Sequence, residues 1–481
     1  MTAFRLFNIS IDDGSFHSDT VDLINPLHHN NTCDNYFSLI IGNNGTGKSR
    51  VLSNIAKVYK SIFNNKYNHN LFDSKINLET LPTKVIAITN SLSDKFPLDD
   101  SFKRYESVYN RYRTENNPLK SIYNNSKYIY LGTRSKNLFF SNKASINRAL
   151  DILLEYYSET EISQYYRHVF NYLDFEPILK LQYKIPKSFF SLNENKINKK
   201  TLSHYIDQKR LYKRDSIDFS EKTEAIIDTV GDEICDFLNH SKLGKQGFGE
   251  ILINFSEKNI ERYSYDKSQY YGNTYEYRML NILRKLNIIG SYDIKIYKKG
   301  GLEFSFNEAS SGEANILSTL LALIPLLDHN SLVLIDEPEI SLHPIWQAKY
   351  IELLNKIFSH FTGCHIIIAS HSHFLVTDLP PKQSTVVALR SNKRGNIISE
   401  IMKESTFGWS AEDVLLNVFG LPTTRNYYLS QLISKGLELL ANNNRNISEY
   451  NKIKCQIKEY YPLIKDNDPL KSVAAIILKE G

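Results

Sequence analysis

The chain has 481 residues, of which 42% are hydrophobic; this suffices for roughly three domains and excludes a disordered or fibrous protein. Its 58 Lys and Arg nearly balance 53 Asp and Glu, so a nucleic-acid partner would need a local basic surface. The four cysteines are far apart without a CxxC pair, which predicts neither disulfides nor a zinc site. We find no apolar signal core and no bilayer-length apolar run, and therefore expect a cytoplasmic protein without membrane contact.

The first predicted elements are a strand, a Gly- and Asn-rich loop and a helix, over residues 35–63. Apolar runs at residues 84–89 and 128–133 predict two further strands. From about residue 139 to 240 the pattern becomes helical and rich in Tyr and Lys. Because the first strands are apolar throughout, they are typical of a sheet that is buried on both faces.

Strand patterns return at residues 250–256 and 293–306, the second with a KKGG hairpin turn. A helix is predicted to begin after Ser311 and to end near Pro325. Apolar strands follow at residues 331–337 and 365–370, with a helical pattern between them. This alternation predicts an α/β protein with a parallel sheet.

Residues 42–49, GNNGTGKS, match the GxxxxGK[ST] pattern of a phosphate-binding loop, between a predicted strand and a predicted helix. Glycines in the loop allow backbone N–H groups to point at a phosphate, Lys48 reaches the β- and γ-phosphate oxygens, and the Ser49 hydroxyl is a Mg²⁺ ligand. The predicted ATP-binding residues are Asn43, Asn44, Gly45, Thr46, Gly47, Lys48, Ser49 and Arg50.

Two acidic residues, Asp336 and Glu337, end the apolar run LVLI. This places both carboxylates at the strand edge where α/β sheets bind ligands. We predict that Asp336 binds Mg²⁺ together with Ser49, and that Glu337 deprotonates the attacking water. Asp336 could instead cap the next segment, but an uncompensated carboxylate pair at the end of a buried strand is costly.

Two weaker signals flank this strand. The string NEASSGE at residues 307–313 precedes a helix and, taken alone, is also an ordinary helix cap. His371 follows the strand at residues 365–370, and a histidine at a strand end is commonly a polar boundary residue. The order of these strings along the chain, and their spacing from Asp336 and Glu337, give both more weight.

Together the four motifs resemble the head of ABC-type ATPases, the class shared by SMC and RecF chromosome-maintenance proteins and the overcoming-lysogenization ATPases. Residues 336–344, DEPEISLHP, are similar to the DEPE..LHP form of the last group. The resemblance covers residues 1–135 and 290–385. It implies ATP and Mg²⁺ as cofactors and a switch role for His371 at the γ-phosphate. The insertion lacks the heptads of an SMC coiled coil, and a residue near Asn90 is expected at the Q-loop.

In such heads two copies enclose ATP, so the resemblance implies a homo-oligomer whose signature acts in trans. The signature residues here would be Ser310, Ser311, Gly312 and Glu313, which depart in part from the family's LSGGQ pattern. We expect the ATPase head to comprise residues 1–138 and 246–390. A mainly helical insertion would fill residues 139–245, and a helical extension would follow at residues 391–481.

Four other strings resemble the PtuA ATPases of Septu anti-phage systems and of PtuA-containing retrons. They are ITNSLSDKFP (88–97), YIYLGTRS (128–135), YLDFEPILKLQY (172–183) and FGWSAEDVLLNVFGLPTTRNYY (407–428). This resemblance implies a bacterial defence complex in which the ATPase is sensor and scaffold and a separate HNH endonuclease, PtuB, cuts. In agreement, residues 28–30, HHN, lack the spaced histidines of an HNH site.

Two surface hypotheses remain open at this point. Residues 184–214 carry nine Lys or Arg with interleaved Phe189, Phe190, Tyr205 and Tyr212, which indicates either a DNA or RNA surface or simply a solvated segment. Near the C-terminus, the default expectation for the aromatic side chains is core packing, with partner binding as the alternative. These side chains are Trp409, Phe419, Tyr427 and Tyr428.

Other functions compete with the defence hypothesis. The chain could be a scaffold in which bound ATP is structural, or a stand-alone DNA-repair ATPase of the RecF or SMC sort. It could also be the ATPase of a PARIS-type pair with a Toprim nuclease. A transporter ATPase is disfavoured, since the helical insertion and the C-terminal extension are absent from the compact heads of such subunits.

Overall fold

The computed structural model describes residues 3–12, 17–28, 34–65, 74–76, 80–99, 126–134, 142–155, 163–190, 196–213, 217–255, 261–264, 279–280, 282–284, 286, 288–290, 292–392, 396–421, 423–441 and 447–479. The chain divides into two compact units, Met1–Phe407 and Gly408–Gly481. Within the described ranges, every helix is too short or too polar to cross a membrane.

The strands, in chain order, are β1 (Asn8–Asp12), β2 (His17–Asp22), β3 (Tyr36–Gly42), β4 (Ser74–Ile76), β5 (Val85–Thr89), β6 (Tyr128–Leu131), β7 (Phe175–Lys184), β8 (Phe248–Asn254), β9 (Glu261–Ser264), β10 (Asp293–Lys298), β11 (Glu303–Ser305), β12 (Leu332–Asp336), β13 (His365–Ala369), β14 (Ser384–Ser391) and β15 (Ile397–Ile401). The helices are α1 (Lys48–Phe63), α2 (Asn142–Glu155), α3 (Ser163–Tyr172), α4 (Lys187–Phe190), α5 (Lys199–Lys213), α6 (Ile217–His240), α7 (Lys242–Gln246), α8 (Ser311–Leu323), α9 (Pro344–Ala348), α10 (Tyr350–Phe358), α11 (His373–Thr377), α12 (Ala411–Asp413), α13 (Tyr427–Ala441), α14 (Ile447–Tyr460) and α15 (Pro469–Lys479). Short 3-10 helices lie at Pro26–His28, Phe306–Glu308, Ile324–Leu326 and Tyr461–Leu463, and a π-helix at Val414–Val418.

A ten-stranded sheet organises the larger unit, in the order β4-β1-β2-β15-β14-β3-β13-β12-β5-β6. From β14 to β6 all neighbouring strands are parallel. The strands β5, β12 and β13 are buried at every position, which confirms the α/β sheet expected from their apolar runs. In register, Asp336 stands between Ala369 and Thr89, so three strand ends meet at one edge of the sheet.

The core on one face of this sheet forms against α1. Apolar residues at helical spacing, among them Val51, Leu52, Ile55 and Val58, are almost completely buried against the strands. Each buried aliphatic side chain of this kind contributes about 1.5–3 kcal/mol to folding. The packing therefore anchors α1, and with it the loop that precedes it.

A second sheet has five antiparallel strands in the order β11-β10-β7-β8-β9. The KKGG hairpin forms as predicted between β10 and β11, where Gly300 and Gly301 have φ angles of 99° and 84°. The segment expected to be a mainly helical insertion also contributes β7, a ten-residue strand. Polar and apolar residues alternate along this strand, so one of its faces is buried. This alternation is typical of a strand and not of a helix, which is why the expectation of a mainly helical segment fails here.

The C-terminal unit is helical and has its own core. Leu432, Ile433, Ile457 and Ile477 are buried between α13, α14 and α15, and the Tyr450 hydroxyl donates to the Ile477 carbonyl at 2.8 Å. This unit begins at Gly408 and not at the expected residue 391. The intervening β15 pairs with β14 and β2 of the ten-stranded sheet, and this pairing is what moves the boundary.

The expected core role does not hold for two C-terminal aromatic residues. Tyr427 and Tyr428 are 59% and 50% exposed, because they lie in the first turn of α13, before its buried residues begin at Leu432. Trp409 and Phe419 are half-buried. The core-packing expectation is therefore wrong for the two tyrosines.

Candidate nucleotide-binding and hydrolysis site

The phosphate-binding loop has an unusual backbone at its glycines. Gly45 and Gly47 have φ angles of 84° and 88°, in a region that L side chains rarely enter. Gly47 is the N-cap of α1 and provides no side-chain cap. The N–H groups at this helix end can therefore bind an anion, which the helix dipole also favours.

Lys48 is buried beside the loop. Its ammonium group donates to the backbone carbonyls of Gly42 at 2.9 Å and Asn43 at 3.3 Å. Burial lowers the pKa of Lys48, while three nearby carboxylates oppose that shift. The cation thus lies against the loop that would hold the phosphates. Arg50, another predicted ATP-binding residue, lies in the first turn of α1.

Ser49 and Asp336 are in direct contact. The Ser49 hydroxyl donates to Asp336 Oδ1 at 2.9 Å. Asp336 is only 2% exposed, and burial raises its pKa to about 7, although the Ser49 hydrogen bond opposes the shift. A divalent cation at this point would offset the cost of the buried charge. One hydroxyl and one carboxylate are typical protein ligands of a Mg²⁺–nucleotide complex, so the residues present fit Mg²⁺.

Glu337 has a left-handed backbone, with a φ angle of 49°. Such a conformation costs about 1–3 kcal/mol in a non-glycine residue and is concentrated at functional sites. The Glu337 N–H donates to the Ala369 carbonyl at 2.9 Å, which fixes this residue to the end of β13. Its side chain is 27% exposed, so the carboxylate is open to a water molecule.

His371 lies between Lys48 and Glu337. Its Nδ1 is 3.5 Å from Lys48 Nζ, and its Nε2 is 3.8 Å from Glu337 Oε1. Burial lowers the pKa of His371, Lys48 lowers it further, and Glu337 opposes the shift. The imidazole is therefore mainly neutral at pH 7. Since Nδ1 faces a donor, the proton is best placed on Nε2, toward Glu337.

The predicted signature residues lie at the start of α8. Ser310 is the N-cap: its Oγ accepts the Glu313 N–H at 3.3 Å, while Glu313 accepts the Ser310 N–H at 2.7 Å. In this capping box, the side chains of Ser310 and Glu313 are both used for hydrogen bonds to the backbone of their own helix end. Ser311 is exposed, and Gly312 is buried. A Cβ atom at Gly312 would lie 2.4 Å from the Ser341 carbonyl oxygen, so packing requires glycine there.

Sequence reasoning gave no role to Asp94. This fully buried carboxylate accepts two hydrogen bonds of 3.1 Å from Arg134 and one of 2.8 Å from the Tyr130 hydroxyl. Its charge contributes to the raised pKa of Asp336. Asp94 and Arg134 lie in two of the strings quoted above, at residues 88–97 and 128–135, but neither string shows that the two side chains meet. The pairing of β5 with β6 brings them together.

Two further residues were missed next to the predicted switch histidine. Glu339 accepts a hydrogen bond from the His371 backbone N–H. Gln347 Oε1 accepts one from the Ser372 hydroxyl at 2.7 Å. The DEPE string could have drawn attention to Glu339, whereas nothing in the sequence marks Gln347.

The predicted Q-loop residue lies next to the strand edge that carries Asp336. Asn90 follows Thr89, which pairs in register with Asp336, and it lines a small cavity together with Arg148 and Asn315. Its Q-loop role stays a prediction.

The basic segment at residues 184–214 offers fewer aromatic rings than expected. Phe189 and Tyr205 are 0% and 2% exposed and pack with ring centroids 4.8 Å apart. They cannot stack on bases, so that part of the nucleic-acid hypothesis does not hold. The side chains of Phe190 and Tyr212 lie outside the described part of the structure.

The arrangement of the sheet and of the residues at its edge is typical of ATPases. A parallel sheet brings to one edge a glycine-rich loop, the hydrogen-bonded pair Ser49 and Asp336, and a carboxylate beside a histidine, which is the arrangement of a P-loop ATPase. The chain belongs to the AAA ATPase domain family, whose model matches residues 15–376.

Three known proteins are similar in sequence. The retron Vc95 probable ATPase of Vibrio cholerae is 23% identical over 416 residues, 79% of this chain and 73% of that protein. The Septu protein PtuA of Bacillus thuringiensis is 28% identical over 193 residues, 36% of this chain and 47% of that protein. Protein ea59 of Escherichia phage lambda is 34% identical over 144 residues, 29% of this chain and 27% of that protein. The match thus spans about a quarter of the phage protein and half of the Septu protein.

Solved SMC heads are more distant. The SMC head domain of Pyrococcus furiosus bound to the C-terminal domain of ScpA covers 82% of this chain and 96% of its own, at 9% identity and a TM-score of 0.32. The SMC head domain from Thermotoga maritima covers 33% of this chain and 71% of its own, at 14% identity and a TM-score of 0.19. At these scores, the likeness supports no argument about partners or activity.

Proposed function

We propose that this chain is the ATP-hydrolysing sensor and scaffold subunit of a bacterial anti-phage defence complex, acting with a separate HNH nuclease of the PtuB type. The observation that carries the proposal is the meeting of Ser49, Asp336, Glu337 and His371 at one sheet edge. Similarity to the retron ATPase over most of the chain supports the defence setting.

In the proposed reaction, the loop N–H groups and Lys48 hold the ATP phosphates. Ser49 and Asp336 would hold Mg²⁺, which when bound neutralises charge on the phosphates. Glu337 accepts a proton from the attacking water as the water oxygen bonds to the γ-phosphorus. The bond from that phosphorus to the β,γ-bridging oxygen breaks, and ADP is the leaving group. His371 is neutral and carries its proton on Nε2, which lies 3.8 Å from Glu337 Oε1, too far for a hydrogen bond. In the proposed reaction this N–H donates to a γ-phosphate oxygen and so orients that group for attack.

A second copy of the chain is part of the proposal. The exposed Ser311 at the start of α8 is the signature hydroxyl left outside the capping box of Ser310 and Glu313. We infer that it contacts ATP bound to the partner copy, so that assembly through nucleotide completes the site. Oligomer assembly would then report ATP occupancy to the nuclease.

The first test of the chemistry is Glu337→Gln. It removes the base but keeps the size and polarity of the side chain, so kcat should fall about 10²- to 10⁴-fold while ATP affinity changes less than about threefold. Phosphate release and equilibrium nucleotide binding measure the two quantities. Glu352→Gln, on the exposed side of α10, is the matched control, and unchanged turnover in Glu337→Gln would refute the base assignment.

The test of the partner is co-purification. The chain is expressed with its native flanking genes, purified by a tag at moderate salt, and its companions are identified by mass spectrometry. A stoichiometric HNH protein supports the proposal. A Toprim nuclease would move the chain to a PARIS-type system, and the absence of any companion would favour a stand-alone DNA-repair ATPase.

A further inference from the structure

The loop at residues 370–372, here called the switch loop, is held from two sides. On one side, Glu339 Oε1 accepts the backbone N–H of His371. On the other, the Ser372 hydroxyl donates to Gln347 Oε1 at 2.7 Å. Within the loop, the Ser372 N–H donates to Ser370 Oγ at 2.9 Å. The position of the His371 backbone therefore depends on contacts made outside its own strand.

Glu339 lies in the same tight turn as Glu337. The Ile340 N–H donates to the Glu337 carbonyl at 3.2 Å, and the Leu342 N–H donates to the Glu339 carbonyl at 2.9 Å. These two backbone hydrogen bonds hold Glu337 and Glu339 in one turn. The hydrogen bond from His371 to Glu339 thus ties the switch loop to the turn that carries the base.

The side chain of Glu339 is unsuited to activate water itself. One oxygen is used by the His371 N–H, and the other, Oε2, is buried without a hydrogen-bond partner among the described residues. Burial raises the pKa of Glu339, and the backbone N–H groups of His371 and of Glu339 itself, together with the Ser370 hydroxyl, oppose the shift. A hydrogen bond to an ionised carboxylate is about twice as strong as a neutral one. Since buried polar atoms are nearly always hydrogen-bonded, the contact between Glu339 and the His371 N–H is costly to break.

We propose that Glu339 is a positioning residue, which sets the distance between the His371 imidazole and the Glu337 carboxylate by holding the His371 backbone N–H. That distance is 3.8 Å between Nε2 and Oε1. The inference deepens the proposed function and rests on the roles given there to His371 and Glu337. Glu339 touches neither the nucleotide nor the water in this assignment.

Four variants test the proposal: Glu339→Ala, Glu339→Gln, His371→Ala and the double variant Glu339→Ala/His371→Ala. Turnover and ATP affinity are measured separately for each, and a thermal melt shows that each is folded. Glu339→Ala should lower kcat about 10- to 100-fold, since a shift of about 1 Å in a catalytic group costs this much. Its ATP affinity should stay within about threefold of the original.

The other variants separate positioning from charge. Glu339→Gln keeps an oxygen acceptor for the His371 N–H and should retain turnover within about threefold of the original chain. In the double variant, removal of Glu339 should cost nothing beyond His371→Ala, because a positioning residue acts only through its target. Glu352→Ala serves as the control for loss of an exposed carboxylate.

Three results would overturn the proposal. They are unchanged turnover in Glu339→Ala, a loss in Glu339→Gln as large as in Glu339→Ala, and multiplicative losses in the double variant. Failure of the proposed function gives a different result: His371→Ala and Glu337→Gln would then themselves retain full turnover.

Discussion

At the scale of single residues, the buried Asp336 carboxylate serves the proposed Mg²⁺ site and at the same time lowers the stability of the folded chain. Its carboxylate has a pKa raised from 3.8 to about 7 by burial. The folded chain therefore keeps a proton that the unfolded chain has already lost, and stability falls as pH rises from about 4 to 7. At about 1.4 kcal/mol per pKa unit, the ionised group costs a few kcal/mol at pH 8 when no cation is bound.

We predict that Asp336→Asn stabilises the nucleotide-free chain at pH 8 by roughly 1–3 kcal/mol. The amide oxygen can still accept the Ser49 hydroxyl, and the buried charge is gone. Denaturant unfolding in the presence of a chelator measures the effect. The gain should shrink toward pH 5, where Asp336 is protonated.

The same substitution should abolish the extra stability that Mg²⁺-ATP gives the original chain, since the carboxylate ligand is lost. Asp328→Asn is a fair comparison, because Asp328 is half exposed and pairs with Lys84 at the far end of β12. A less stable Asp336→Asn chain at pH 8 would show that the carboxylate is already compensated.

At the scale of elements, the start of α8 is determined by local sequence and by one distant contact. The capping box of Ser310 and Glu313 fixes the first turn, and the helix begins where its pattern predicts. The close approach of Gly312 to the Ser341 carbonyl could not be predicted, because Ser341 belongs to the turn after β12. This contact joins the predicted signature to the turn that carries Glu337.

We predict that Gly312→Ala destabilises the chain by about 1–3 kcal/mol through overpacking and lowers turnover by moving the turn at Ser341. A Cβ atom at 2.4 Å from a backbone oxygen cannot be accommodated without a shift of one element. Thermal unfolding and phosphate release measure the two effects. Gly290→Ala is the matched control, since a Cβ there meets nothing within 4 Å. Equal behaviour of the two variants would refute the packing argument.

At the scale of the whole molecule, the predicted site residues and the ten-stranded sheet belong to the unit Met1–Phe407, while Gly408–Gly481 has a separate core. We predict that a chain ending at residue 407 unfolds cooperatively and is still stabilised by Mg²⁺-ATP in a thermal melt. A chain ending at residue 391 should be much less stable, because it lacks β15 and exposes the edges of β14 and β2. If the chain ending at residue 407 lost ATP binding, residues 408–481 would be needed for the site, which would contradict this prediction.

The elements that could be predicted are those whose signals lie within a few neighbouring residues. The glycine-rich loop with its flanking strand and helix, the apolar runs of β5, β12 and β13, and the acidic end of β12 could all be predicted. In these segments the pattern of apolar residues and the steric freedom of glycine act within a few positions, so no distant contact is needed to interpret them.

The contacts between side chains that are distant in the chain could not be predicted, because they depend on how the strands pair. Parallel pairing brings Ser49 to Asp336 and aligns the ends of β12 and β13, so that His371 stands beside Glu337 and its backbone beside Glu339. In the same way, the sequence did not show that Phe189 and Tyr205 are buried or that Tyr427 and Tyr428 are exposed. These outcomes depend on long-range packing, in which the free energy of burying a side chain is set by neighbours that are distant in the chain.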